Sequence, residues 1–76
     1  MITVKLREAI EIYRRRTGTH LTYKDLARRT GISVETLQSL ASRPGYNTRL
    51  STINKLCRVL ECTPAELLEW KAKGTR

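Results

Sequence analysis

The fold of this chain is constrained most by a pair of short helical segments joined by a tight turn. Thr22 is a good N-cap for a first helix over residues 23–30, and Gly31 stands where a helix commonly ends in a left-handed residue. Ser33 is the N-cap of a second helix over residues 34–42. The sequence therefore predicts two short helices that pack directly against each other.

Small and apolar side chains fix how these two helices pack. Ala27 is small where the helices must approach closely. Larger side chains can hold the angle between the helices against the rest of the chain: Leu26, Ile32, Leu37 and Leu40. One physical use of such a pair is to project the second helix into the major groove of DNA while the first braces it across the backbone.

Apolar spacing and cap signals predict three more helices, over residues 4–17, 50–60 and 64–71. The strongest local signal is the capping box Thr63-Pro64-Ala65-Glu66, which has Pro at the first helical position. Residues 43–48 contain a Pro-Gly pair and are expected to form a loop. No segment predicts a strand. The predicted architecture is an all-α bundle of five helices with short connections.

The predicted core consists of apolar side chains from all five helices and the turn: Leu6, Ile10, Leu26, Ala27, Ile32, Leu37, Leu40, Leu50, Ile53, Leu56, Leu60 and Leu67. Trp70 is expected to cover one end of the core, and the alternative is a dimer patch that it forms with Leu68. Cys57 is interpreted as a small core residue, and Cys62 as a residue that packs at a helix terminus.

Length and composition predict one globular domain. The chain has 76 residues, of which about 4–71 would form the core and 72–76 a flexible tail. No apolar run approaches the roughly 20 residues that span a bilayer, and the N-terminal residues contain no signal-peptide block, so a cytoplasmic location is expected. His20 and the two cysteines lack metal-binding or catalytic spacing, which predicts no metal, no cofactor and no enzymatic activity.

The net charge of +8 is large for this size and suggests a polyanionic partner. The alternatives are an acidic membrane and a solvated basic surface without a specific partner. No long helix separates a basic face from a broad apolar face, which argues against binding to a membrane surface. Together with the helix pair, the charge favours double-stranded DNA.

From about Leu6 to Trp70 the chain resembles the Cro/C1-type, or XRE, family of phage-repressor-like helix-turn-helix domains. The residues that carry the resemblance are Leu26-Ala27, Gly31-Ile32-Ser33, Leu37, Leu40, Leu50-Ser-Thr-Ile-Asn-Lys-Leu56 and Leu60-Glu-Cys-Thr-Pro-Ala-Glu-Leu-Leu68. The resemblance implies a five-helix lambda-repressor-like bundle that binds a two-fold-related operator, commonly as a homodimer. It also implies a sequence-specific transcriptional regulator of bacterial or phage origin, most often a repressor, that is associated with the nucleoid.

The resemblance further implies which residues contact DNA. Base edges would be read by Val34, Glu35, Thr36 and Ser39. The DNA backbone would be contacted by Thr22, Tyr23, Lys24, Ser33, Arg43, Tyr46, Asn47 and Arg49. Glu35 could instead serve only the helix dipole, Val34 and Thr36 could simply fill surface, and the Tyr46 ring could pack on its own loop. Gln38 could face either DNA or the bundle.

The chain departs from the family pattern in two places. Many members have Gln at the position of Tyr23, and a Tyr hydroxyl cannot reproduce the bidentate geometry of an amide. Many members also have Glu-x-Gly near residues 41–43, where this chain has Ala-Ser-Arg. The loop that leaves the second helix of the pair is therefore expected to have a different shape, with Arg43 as an added phosphate contact.

A second function from another class fits the same domain. Antitoxins of toxin–antitoxin pairs reuse it to bind operator DNA and a partner protein. The observation that favours this alternative is a small chain with no effector or ligand domain. A gene for a small toxin beside this one would support it.

Overall fold

The computed structural model describes residues 1–43 and 45–72, and it is mostly helical with a small two-stranded sheet. The elements in chain order are β1 (Ile2–Val4), α1 (Leu6–Thr17), α2 (Tyr23–Thr30), α3 (Val34–Ser42), α4 (Leu50–Leu60), α5 (Pro64–Leu67) and β2 (Leu68–Trp70). None of the described helices is long and apolar enough to cross a membrane. Most of the predicted flexible tail, residues 73–76, lies outside the described residues.

The predicted bounds of α2, α3 and α4 are confirmed, and side-chain caps explain where α2, α3 and α5 begin. Thr22 accepts a hydrogen bond from the backbone N–H of Asp25 at 3.1 Å, and the Asp25 carboxylate accepts one from the Thr22 N–H. The Thr63–Glu66 pair repeats this reciprocal arrangement at the start of α5. Each cap satisfies backbone donors that a helix leaves without an internal partner. Local sequence therefore decides where these helices begin.

Two segments near the ends of the chain meet in a sheet that was not predicted from the sequence. β1 and β2 pair antiparallel, with Thr3 opposite Glu69 at the centre of the ladder. Beyond the strands, the N-terminal ammonium of Met1 donates to the Lys71 carbonyl at 2.7 Å, and the Lys71 N–H donates to the Met1 carbonyl at 2.8 Å. The predicted absence of strands is therefore wrong.

The sheet also corrects the outer ends of the first and last helices. α1 begins at Leu6 rather than at residue 4, and α5 ends at Leu67 rather than at residue 71. Leu68 adopts extended backbone angles, φ −109° and ψ 151°, and the chain enters β2. The reason is that backbone groups of β2 find partners on β1, which removes the need for helical hydrogen bonds. The all-α prediction becomes a mostly helical fold with one small sheet.

Among the described residues, twelve apolar side chains form the buried core: Leu6, Ala9, Ile10, Tyr13, Leu21, Leu26, Leu37, Leu40, Ile53, Leu56, Leu60 and Leu67. The core predictions for Leu50 and Trp70 are wrong, because both side chains are exposed along a groove that is open to solvent. Ala27 and Ile32 are half-buried and pack against the core. Leu21 was missed because it lies between α1 and α2, where no helical period marks an inward position.

The two cysteines are half-buried and pack against the core. Cys57 therefore lies at the edge of the core rather than fully inside it. Burial, with a smaller contribution from the neighbouring Cys57, raises the pKa of the Cys62 thiol to about 11. A protonated thiol is a poor nucleophile and a poor metal ligand. Within residues 1–43 and 45–72, no group of His, Cys, Asp and Glu side chains could hold a metal ion.

Candidate nucleic-acid interface

Core packing and the turn hold the α2–α3 pair in one geometry. Leu26 of α2 and Leu37 of α3 are fully buried. The Thr30 hydroxyl donates to the Leu26 carbonyl at 2.6 Å and accepts from the Ile32 N–H at 3.1 Å, which ties the end of α2 to the turn. Gly31 takes φ +75°, a left-handed conformation that costs little only for glycine. The second helix is thus presented rigidly by the first.

The N-terminus of α3 is fixed by two hydroxyl groups. The Ser33 hydroxyl accepts from the Thr36 N–H at 3.1 Å and donates to the Thr36 hydroxyl oxygen at 2.9 Å. Ser33 is therefore the N-cap of α3, as predicted. This arrangement uses the Ser33 hydroxyl hydrogen and leaves the Thr36 hydroxyl hydrogen to donate to another acceptor.

α3 has two unlike faces. Its inner face buries leucines, whereas Glu35 and Gln38 are exposed and Val34 and Ser39 are half-buried. The orientation of Gln38, which the sequence left open, is thereby settled as outward from the core. All four predicted base-reading residues have at least partly accessible side chains in the first two turns of α3. The structure therefore leaves this end of α3 open to a ligand.

The N-terminus of α2 presents polar groups to solvent. Tyr23 is half-buried, and Lys24 is exposed. The Asp25 carboxylate accepts the Thr22 N–H and also pairs with Arg28 at 2.7 Å, and these bonds hold its pKa below the usual range. The Asp25 carboxylate thus partly neutralises the charge of Arg28, whereas Lys24 forms no ion pair with any described carboxylate.

Two further basic side chains come close to Tyr23 through the tertiary fold. Arg7 of α1 and His20 of the α1–α2 connection line the same groove as Thr22 and Tyr23, with a volume of about 340 Å³, and the Glu11 carboxylate, which pairs with Arg14, also lines it. Neither residue was predicted from the sequence as a DNA contact. The basic character of Arg7 was visible, but no local signal places a residue of α1 beside the start of α2.

The loop between α3 and α4 carries the remaining predicted contacts. Arg43 ends α3 with extended angles, φ −112° and ψ 101°, and not with the left-handed residue that ends α1 and α2. Tyr46 donates its N–H to the Arg43 carbonyl at 3.2 Å and packs its half-buried ring against the core. Asn47 and Arg49 are exposed. The difference in loop shape from other family members stays a prediction, and the Tyr46 ring does pack on the protein.

Ion pairs distribute the positive charge unevenly over the surface. In α1, Glu11 pairs with Arg14, and this hydrogen bond lowers the pKa of Glu11. Arg16 pairs with Glu66 of α5 at 2.6 Å. Other basic residues form no ion pair with a carboxylate in the described part of the chain: Lys5, Arg7, Lys24, Arg29, Arg43, Arg49, Lys55 and Arg58. Uncompensated positive charge therefore includes the start of α2 and the α3–α4 loop.

A rigid two-helix unit with an open, capped second helix and basic residues beside it defines the helix-turn-helix class of DNA-binding proteins. Comparison with known families identifies the family within this class. The model of the Cro/C1-type HTH DNA-binding domain matches residues 6–73, and the chain belongs to this family. The family resemblance inferred from the sequence is thereby confirmed.

One relative among curated proteins is similar over much of the chain. It is named an uncharacterized HTH-type transcriptional regulator, YozG, from Bacillus subtilis (strain 168), and is 33% identical over 52 residues. The match covers 68% of this chain and 62% of the relative, so the chain spans less than two thirds of that protein's length. No solved structure gives a significant match.

Proposed function

We propose that this chain is a sequence-specific transcriptional regulator that binds double-stranded DNA with α3 in the major groove. The observation that carries the proposal is the anchoring of α3. Its inner face is held by Leu37 and Leu40, and its N-terminus is capped by Ser33, while the side chains beside the cap stay accessible. A helix fixed in this way can contact base edges without losing conformational entropy to become ordered on binding.

Base reading is assigned to the first two turns of α3. Glu35 can accept a hydrogen bond from the amino group of cytosine, and the methyl groups of Val34 and Thr36 can pack on a thymine methyl. Because Ser33 donates its own hydroxyl hydrogen to the Thr36 oxygen, the Thr36 hydroxyl hydrogen can be donated to a purine acceptor. Ser39, one turn further along, extends the reading surface.

Phosphate contacts are assigned to the start of α2 and to the loop after α3. The first group consists of Thr22, Tyr23 and Lys24, and Arg7 and His20 extend this surface. The second group consists of Arg43, Tyr46, Asn47 and Arg49. Because the Ser33 hydroxyl is engaged with Thr36, we assign the Ser33 contact to its backbone N–H at the positive end of the helix dipole.

Repression follows from occupancy in this proposal. A domain seated in the major groove over a promoter excludes polymerase from the same base pairs. Two copies on a two-fold-related operator would double the contacts and lengthen the sequence that is read.

The proposal is tested by selecting bound duplexes from a random-sequence pool and measuring affinity by fluorescence anisotropy at about 50 and 200 mM salt. We expect a two-fold-related site and a steep loss of affinity with salt. A chain that selects no sequence over competitor DNA would refute specific binding.

Two variants separate base reading from phosphate contact. Glu35→Gln should alter the selected base at one position of each half-site, by about 1–3 kcal/mol of discrimination. Lys24→Ala should weaken binding to all sequences alike and reduce the salt slope by about 0.9. Lys55→Ala, which removes an exposed lysine of α4 outside the assigned contacts, is the control for loss of charge.

An antitoxin is the second candidate. The observation that favours it is a groove lined by exposed apolar side chains, which a partner protein could cover. Co-expression with the product of the adjacent gene would test it. A stable complex of two different chains supports the antitoxin, and a chain that purifies without a partner supports the regulator.

A further inference from the structure

The exposed large apolar side chains of the described residues all line one groove. They are Met1, Ile2, Leu50 and Trp70, with exposed fractions of 48%, 58%, 84% and 71%. The groove has a volume of about 450 Å³. Single exposed apolar residues scattered over a surface are ordinary, but a contiguous group marks a place where another molecule binds. We call this surface the terminal groove.

The terminal groove is formed by parts of the chain that are distant in sequence. Ile2 and Trp70 lie opposite each other in the sheet, so their side chains share one face. Val4 and Leu68, the next pair on that face, are half-buried and support the groove from below. Leu50, the first residue of α4, closes the opposite side.

We propose that the terminal groove is the surface through which a second copy of this chain docks. The inference rests on the proposed function, in which two copies bind a two-fold-related operator. It adds the surface that joins them. The groove would pack against the same groove of the partner copy, as a two-fold interface requires.

Charge favours a second copy as the occupant. None of the described residues that line the terminal groove has a charged side chain. Two chains of net charge +8 can therefore meet there without bringing charged side chains into contact, and the N-terminal ammonium of Met1, a positive charge that the groove does carry, is hydrogen-bonded to the Lys71 carbonyl. A partner recognised by its acidic surface would need basic side chains inside the groove, and the uncompensated basic residues lie outside it.

The area of the terminal groove fits a weak dimer. Its four exposed side chains leave on the order of 500 Å² of mostly apolar surface open to solvent. Pairing two copies would bury roughly 1,000 Å² in total, which is below the size of a standard stable interface. The dimer is accordingly expected to be weak in free solution and to be completed on DNA, where two half-sites hold the copies together.

The position of the terminal groove agrees with this arrangement. Tyr46 and Asn47, assigned as backbone contacts, also lie along its wall. A molecule docked in the groove would therefore sit beside the DNA. A second copy on the neighbouring half-site occupies such a position.

The test uses the full chain without DNA, so that its outcome does not depend on sequence recognition. Sedimentation velocity gives the mass over increasing protein concentration. Trp70 is the single tryptophan, and its fluorescence should shift to shorter wavelength as dimerisation buries it. We expect a reversible monomer–dimer equilibrium at high concentration, with the mass change and the fluorescence shift occurring together.

Two variants and one control locate the interface. Leu50→Asp places a charge in the groove, yet an acidic residue in the first turn of α4 favours the helix. Trp70→Ala removes the largest contact without adding charge. Each should raise the dimer dissociation constant about tenfold or more. Ala65→Asp makes the same charge change at an exposed position in the first turn of α5, outside the groove, and should leave dimerisation unchanged.

On DNA, Trp70→Ala should lose cooperative binding to a two-fold-related site and keep its affinity for a single half-site. The proposal is overturned by a chain that stays monomeric at all concentrations and binds both half-sites independently. It is also overturned by groove variants that dimerise as the parent chain does, or by a cross-linker at position 50 that joins the chain to a different protein. If no DNA sequence is selected, the proposed function fails, while the mass and fluorescence results still decide the groove.

Discussion

The helix pair and the terminal sheet are built by different means. In the pair α2–α3, caps, turn and packing contacts come from neighbouring residues, and the exposed surface of α3 is polar. In the sheet, Thr3 and Glu69 are 66 residues apart in sequence, and the exposed surface is apolar. The first region can be read from local sequence, whereas the second exists only once the chain ends have met.

This difference separates two properties of the protein. The geometry of α3 depends on buried leucines and short-range hydrogen bonds, so it should resist changes elsewhere on the surface. The terminal groove depends on a short pairing between two three-residue strands, and its four exposed apolar side chains contribute little to the core of the same chain. Matched substitutions in the two regions should therefore have unequal effects.

The largest difference is expected between two leucines that the sequence placed in the same core. Leu37→Ala should lower the free energy of unfolding by about 2–5 kcal/mol, because the side chain is fully buried and its removal leaves a cavity. Leu50→Ala should change it by less than about 0.5 kcal/mol, because that side chain is exposed. Urea denaturation followed by circular dichroism measures both. Equal losses in the two variants would contradict the exposure of Leu50.

The two capping boxes offer a comparison of intermediate size. Thr22→Ala and Thr63→Ala should each cost about 1 kcal/mol of stability, because each leaves a backbone N–H of the first helical turn without its partner. Only Thr22→Ala should also weaken DNA binding, since Thr22 is assigned to the backbone contacts and Thr63 is not. Denaturation and anisotropy, measured at a temperature where both variants are folded, separate the effects. A loss of affinity in Thr63→Ala as large as in Thr22→Ala would contradict this division.

The carboxylates of these boxes predict a dependence of stability on pH. The Thr63 N–H, and then Arg16, hold the pKa of Glu66 below its usual range, and the Thr22 N–H, and then Arg28, do the same for Asp25. Carboxyls whose pKa is lower in the folded chain stabilise it at neutral pH, and this contribution is lost as pH falls below about 4.

Chemical denaturation between neutral and acid pH should show this loss. Glu66→Gln and Asp25→Asn should each be less stable than the parent chain at neutral pH and show a shallower decline on acidification. If the stability of both variants falls as steeply with decreasing pH as that of the parent chain, the acid sensitivity arises elsewhere in the chain.

The smallest effect is expected at the centre of the sheet. The hydroxyl of Thr3 lies 3.5 Å from the Glu69 carbonyl oxygen, a long distance for a hydrogen bond. Thr3→Val keeps the shape and the preference for strands, so stability should change by no more than a few tenths of a kcal/mol. A loss above about 1 kcal/mol in urea denaturation would show that this bond is important for the pairing.

Much of the fold and of the candidate site could be predicted from the sequence. The bounds of α2 and α3 and the cap at Ser33 are confirmed, because the caps at Thr22 and Ser33 and the left-handed Gly31 act within one turn. The bounds of α4 are confirmed although it has no side-chain cap, because its apolar side chains recur at helical spacing. The predicted DNA contacts stay predictions, although the structure leaves the assigned residues of α3 accessible. The Arg7 side chain, which joins this surface from α1, was not predictable, because no local pattern places it beside Tyr23.

The sequence by itself determined the helix pair, its caps and the family to which the chain belongs, since these depend on contacts between near neighbours. Only the tertiary structure decided that residues 68–70 leave the helix, that Leu50 and Trp70 face solvent, and that they share one groove. The physical reason is that the hydrogen bonds of the sheet join backbone groups of residues that are almost the whole length of the chain apart in sequence. Its direction and register are therefore set by the closed bundle rather than by any local pattern.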